Sequence, residues 1–162
     1  TRRTTSTGPS RTSRRRWREA FQQRTNIVVT PAEKKARFDL RMKIVRAMQR
    51  AGVLLLAGSD TPNPYVYPGF SLHEELELFV EAGLTPLEAL QTATVNPAKF
   101  LGTQKDIGTI EQGKLADLVL LDANPLVDIS NTKKINAVVA NGRFFDRSAL
   151  DKLLATVEAP TK

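Results

Sequence analysis

The run Val53-Leu54-Leu55-Leu56-Ala57 is the feature that most limits what this chain can fold into. A short, wholly apolar stretch bounded by Gly52 and Gly58 reads as a strand buried on both faces, as in a parallel sheet. Such a strand needs neighbours, and no earlier βα unit in the sequence supplies them. Gly58-Ser59-Asp60 follows, and then Thr61-Pro62-Asn63-Pro64. Parallel α/β sheets gather catalytic and metal-binding groups just past the C-terminal ends of their strands. Asp60 occupies that place and is the first candidate site residue. It is also suited to cap the turn that follows, because Asp before Thr-Pro is good turn chemistry.

The elements around it are well punctuated. Thr30-Pro31-Ala32-Glu33 is a capping box with Pro at the first helical position. Leu40, Ile44, Ala47, Met48 and Ala51 recur at helical spacing, and Gly52 stops the helix. Ser71-Leu72-His73-Glu74 reads as a second box, with Leu72, Leu76, Phe79 and Val80 as its stripe. Thr85-Pro86-Leu87-Glu88 is a third, and Asn96-Pro97 opens a shorter turn closed by Gly102. Beyond Gly108 the pattern becomes β. Leu118-Val119-Leu120-Leu121 reads as a buried strand, and Asn141-Gly142 between apolar runs predicts a hairpin with a type I′ turn. Residues 148–157 predict a terminal helix. The organisation expected is a tail over 1–16, helix–strand–helix units over 17–106, a small β unit over 107–146, and a terminal helix and tail over 147–162.

Composition narrows the chemistry. The sequence has one His and no Cys, which rules out a thiol nucleophile, a disulfide framework and a His-rich metal site built by these residues alone. Residues 1–50 carry 15 Lys and Arg against 3 Asp and Glu, whereas residues 51–162 carry 9 against 14. The basic character therefore belongs to the front. Residues 1–16 contain only Thr, Ser, Arg, Gly and Pro, a composition of disorder. Arg14, Arg15 and Arg16 could meet phosphates, and the same composition fits a transit segment. No stacking aromatics or recognition motif support nucleic acid as a partner. No apolar run approaches the roughly 20 residues that cross a bilayer, so a cytoplasmic protein with no membrane partner is the expectation.

Three stretches carry a resemblance to a known family. They are Ala51 to Asp60, then Gly83-Leu84-Thr85-Pro86-Leu87-Glu88-Ala89-Leu90 with Thr94-Val95-Asn96-Pro97-Ala98, and finally Gly108-Thr109-Ile110-Glu111-Gln112-Gly113-Lys114-Leu115-Ala116-Asp117-Leu118-Val119-Leu120-Leu121-Asp122 with Val138 to Gly142. Over residues 17–157 the chain resembles the C-terminal portion of the amidohydrolase superfamily, in particular its imidazolonepropionase-like and prolidase-like members. The resemblance implies an α/β fold, namely the last part of a (β/α)8 barrel with part of its flanking β-sandwich. It implies metal-dependent hydrolysis of carbon–nitrogen bonds in small amide or cyclic amide substrates, with a divalent metal, zinc, in the full-length protein.

Asp60 matches the family's metal ligand and proton carrier on the last barrel strand, and that role is carried to Asp60 alone. The family's His-x-His pair, its bridging Lys or Glu and its two later His ligands have no counterpart here. The resemblance therefore implies a segment inactive by itself, completed by an N-terminal part or by self-association. Tyr65 and Tyr67, in the loop beyond Asp60, are candidate substrate-side residues, with packing of the loop as the alternative. His73 is a candidate substrate-side residue by its place, and equally a structural one. Glu74, Glu75, Glu77 and Glu81 read as a solvated helix face.

Overall fold

The computed structural model describes residues 29–60, 63, 66 and 68–158. The tail over 1–16, together with Tyr65 and Tyr67, lies outside the described residues. Helix α1 spans Pro31–Arg50. Its N-terminus forms both halves of the expected box: Thr30 Oγ1 accepts the Glu33 N–H at 3.2 Å, and Glu33 accepts the Thr30 N–H at 2.8 Å. The Glu33 carboxyl is held below its usual range by the Thr30 backbone and hydroxyl hydrogen bonds. Helix α2 spans Ser71–Glu81, α3 spans Pro86–Ala93 and α4 spans Val95–Leu101. Thr85 and Glu88 repeat the reciprocal cap at the head of α3.

The second expected box does not mark the helix start. Helix α2 begins one residue earlier than that reading requires, so Phe70 is its N-cap and Ser71 is already helical. The Phe70 carbonyl takes the His73 and Glu74 N–H groups at 3.1 and 3.4 Å.

Strands β1 (Leu118–Leu121), β2 (Ile135–Ala140) and β3 (Arg143–Phe145) form one antiparallel sheet in that order. The register runs Leu118 to Val139, Val119 to Val138 and Leu120 to Ala137, then slips so that Leu121 faces Ile135. The β2–β3 hairpin turns at Asn141 and Gly142, whose φ values of 51° and 73° are both positive, as a type I′ turn requires. Asp117 Oδ1 accepts the Asn141 N–H at 2.6 Å and fixes the turn. Strand β1 is not buried as expected: Val119 is 57% and Leu120 44% exposed. It is an edge strand, and no described element lies across that part of its surface. A 3₁₀ turn over Ile129–Lys133, unmarked in the sequence, joins β1 to β2, and Asp128 caps it by accepting the Ser130 N–H. Helix α5 spans Arg147–Glu158.

Residues 53–60 hold no helix or strand. The expected strand lacks ladder partners, and the hydrogen bonds explain what it does instead. Val53 N–H donates to Met48 O, Ala57 N–H to Thr92 O, and Leu55 O accepts Asn96 Nδ2 at 2.9 Å. Alternate residues are thus tied to helices, while no backbone bond joins Leu54 or Leu56 to another described residue. Burial alternates in step, with Leu55 and Ala57 half-buried and Leu54 and Leu56 exposed. The segment has the period of a strand with no described residue bonded along one side.

The core is built on Leu76, Ala89 and Ile129, surrounded by Ala57, Phe79, Val80, Leu90 and Ala93. Burying side chains as large as Leu76 and Ile129 contributes about 1.5–3 kcal/mol each. This cluster joins α2, α3, the 3₁₀ turn and the 53–57 segment, and it is the base on which the loop carrying Asp60 rests. Helix α1 buries no residue, and its stripe residues Leu40, Ile44 and Met48 face outward.

Candidate functional site

The loop after residue 57 is shaped from both sides. Ahead of Asp60, both carboxylate oxygens of Glu75 accept the Gly58 N–H, at 3.1 and 3.0 Å. Beyond it, Asn63 Nδ2 donates to Asp60 Oδ2 at 2.6 Å and to the Asp60 carbonyl at 2.9 Å, and the Asn63 N–H reaches the same carbonyl at 3.2 Å. Asp60 itself is exposed and left-handed, with φ 52°. That conformation costs most side chains of order 1 kcal/mol, and Asp and Asn tolerate it best because they bond locally. One carboxylate oxygen accepts from Asn63 Nδ2, and the exposed side chain stands at the end of the 53–57 segment.

His73 is held elsewhere. Its Nδ1 lies 3.0 Å from Thr132 Oγ1, and the Thr132 hydroxyl donates to the Ile129 carbonyl at 2.9 Å. With that hydroxyl proton already used, Nδ1 is the donor, and Nε2 carries the lone pair. Burial lowers the His73 pKa first, the nearby Lys133 charge lowers it further, and Glu77 opposes both. His73 thus fastens α2 to the 3₁₀ turn, and its burial there favours the neutral imidazole over the cation. One helical turn on, Glu77 meets the Lys133 ammonium at 2.7 Å across the same junction.

The acidic face of α2 is therefore not uniformly solvated. Glu74 and Glu81 are exposed, whereas Glu75 and Glu77 are half-buried and engaged. The sequence reading missed both, and Asn63 as well. The available signal was slight: a carboxylate in the early turns of a helix just downstream of a Gly-Ser-Asp loop.

These residues do not assemble a metal centre by themselves. Among the described residues no group of three or more His, Cys, Asp or Glu converges as metal ligands would. Asp60 is a single donor, and Asn63 already occupies one of its oxygens. One carboxylate holds a divalent cation weakly and without selectivity. Ligands from other parts of a protein would be needed to complete a site.

Likeness to known proteins extends over this whole arrangement. Residues 17–145 match the Amidohydrolase family. Ochratoxinase from Aspergillus niger is 34% identical over 119 residues, covering 70% of this chain and 24% of that protein. Imidazolonepropionase from Shouchella clausii is 40% identical over 94 residues, covering 57% of this chain and 21% of the relative. Among solved structures, a putative prolidase from Bifidobacterium longum superimposes with a TM-score of 0.59 at 36% identity, over 71% of this chain and 30% of its own. The chain spans about a quarter of the length of the curated relatives it matches. With a family match that takes in the Asp60 loop, the three helices after it and the antiparallel sheet, this α/β chain belongs to the amidohydrolase family.

Proposed function

We propose that this chain is the C-terminal segment of a metal-dependent hydrolase acting on carbon–nitrogen bonds of small amide or cyclic amide substrates. In this reading the 53–57 segment is the last strand of a (β/α)8 barrel, and the β1–β3 sheet is part of the small domain beside it. The single observation that carries the reading is the placement of Asp60. It stands in a left-handed conformation, pinned on both sides, directly after an apolar segment whose other side has no neighbour among the described residues. Asp60, with ligands from elsewhere in the full protein, would hold a divalent metal, zinc, and the chemistry that metal would supply is hydroxide near neutral pH. Asp60 takes the proton from the attacking water and returns it to the leaving nitrogen. Tyr65, Tyr67 and His73 stand on the substrate side of this proposal. The attachment of His73 to Thr132 gives it a structural task whether or not it also meets substrate.

The test has two arms. The purified 162-residue chain should show no zinc-dependent amide hydrolysis, because it offers one carboxylate where a metal needs several donors. The longer native polypeptide that carries Asp60 should hydrolyse amides, and Asp60→Ala there should lower kcat by at least about a hundredfold, as loss of a general base does. Turnover by the 162-residue chain that is lost in Asp60→Ala would overturn the first arm. Full activity of Asp60→Ala in the longer polypeptide would overturn the second.

A second reading has its own observation. Leu40, Ile44 and Met48 on α1, with Leu54 and Leu56, expose apolar surface that a separate complementing N-terminal chain, or a second copy, would cover. A monodisperse complex at micromolar concentration supports that reading.

A further inference from the structure

We infer that Glu75 is the positioning residue of the Asp60 loop, fixing the backbone two residues ahead of Asp60 through the Gly58 N–H. One donor shared by both oxygens of a carboxylate is a charge-assisted, three-centre bond, stronger than a neutral one. Its distances are 3.1 and 3.0 Å. The bond spans 17 residues, so it is a tertiary tie and not a local cap.

Glu75 is itself firmly placed. On the next residue, Leu76 is 4% exposed in the core. On the same helix, His73 is bonded to Thr132 and Glu77 is paired with Lys133. Helix α2 is thereby fastened through His73, Leu76 and Glu77 to the 3₁₀ turn that leads into the sheet. Glu75 transmits that fixed position to the loop. Asn63 then holds the far side, bonded to the Asp60 carboxylate and carbonyl. A left-handed Asp persists only when its surroundings over-determine it, and these two anchors do so. The small β unit consequently governs where the Asp60 carboxylate stands, although Glu75 touches no reacting atom. This deepens the proposed function and, for its catalytic consequence, rests on that reading.

The experiment uses the ¹⁵N-labelled 162-residue chain and amide hydrogen exchange. Glu75→Ala is expected to speed exchange at Gly58 roughly 10- to 100-fold, the loss of one hydrogen bond to a charged group. It should also shift the Asn63 side-chain amide resonances, with Leu76 and Ala89 amides unchanged. Glu75→Gln keeps one acceptor oxygen and should restore most of the Gly58 protection. If Glu75→Ala opens the whole chain, Glu75→Met, which keeps the stem and removes both oxygens, is read in its place with the same expectations. Unchanged exchange at Gly58, or loss of protection at Leu76 and Ala89 together with Gly58 in both variants, overturns the inference.

The catalytic consequence is separable. In the longer native polypeptide, Glu75→Ala should lower kcat with KM held within about twofold, the signature of a lost transition-state alignment. If Gly58 responds as expected while Asp60→Ala leaves hydrolysis intact, Glu75 still holds the loop and only the catalytic reading of Asp60 falls.

Discussion

His73 is the only imidazole in the sequence, and its surroundings decide how the protein responds to mild acid. Its Nδ1–H is spent on Thr132, and burial and Lys133 both disfavour a second proton. The folded-state pKa therefore lies below the unfolded value of 6.5. Between those two values the unfolded chain binds the extra proton and the folded chain does not, so stability rises with pH. The contribution of His73 is complete above pH 6.5 and is lost as pH falls toward the folded pKa. The urea midpoint of the chain should hold near neutral pH and drop below 6.5, and His73→Asn should flatten that drop. An identical pH profile in the variant would show that other groups govern it. At this scale the sequence was legible where a residue sits beside its own punctuation. Asp60 follows a Gly-bounded apolar run and precedes Thr-Pro, so its place in the loop after that run could be read directly, although the run itself holds no strand. Glu75 could not be read this way. Its partner is a backbone N–H 17 residues earlier, and no spacing rule links a helical carboxylate to such a donor.

The helices follow from capping chemistry. Thr30 and Thr85 precede Pro and stand three residues before Glu, and both form complete reciprocal caps. Glu88 does more than cap. It accepts the Thr85 N–H at 2.7 Å and Gln49 Nε2 at 2.6 Å, so the start of α3 is tied to the end of α1. The Thr85 backbone and hydroxyl bonds hold its carboxyl below the usual range. Thr85→Ala removes the hydroxyl half of this arrangement and should cost about 1 kcal/mol in denaturant unfolding, typical of a lost N-cap. A change below about 0.3 kcal/mol, within the scatter of such caps, would mean that the Gln49–Glu88 tie carries the junction alone. Ser71 shows why motif spacing is insufficient: the turn before it already supplies the first helical carbonyl from Phe70, which shifts the frame by one residue. The hairpin was legible for a stronger reason, since Asn141 and Gly142 favour the positive φ values that a two-residue turn imposes. The 3₁₀ turn at Ile129–Lys133 was not, because one turn of helix has no periodicity to detect.

The arrangement of exposed apolar side chains is a property of the whole molecule. Leu40, Ile44 and Met48 along α1 and Val53, Leu54 and Leu56 after it are all more than a third exposed. A self-sufficient domain buries such a stripe, because each side chain left in water forfeits about 1.5–3 kcal/mol. The sequence pattern marks these positions as core positions, yet no described element packs over them. A charge placed there separates two accounts of the chain. In the 162-residue chain, Leu56→Lys adds charge at an exposed position and should change unfolding free energy by less than about 0.5 kcal/mol. It should also reduce self-association seen by light scattering, because it interrupts an open apolar edge. In a longer polypeptide that completes a sheet around residues 53–57, the same substitution buries an unpaired ammonium and should cost upward of about 3 kcal/mol, or prevent folding. If the cost were equally small in both settings, this edge would be a true surface, and the reading of the 53–57 segment as an interior strand would fail. If the cost appears only in the longer polypeptide, the exposed stripe is a half-interface. The hydrogen bonds that Met48, Asn96 and Thr92 lend to the other side of the segment would then be the part of its strand geometry that this chain can supply alone.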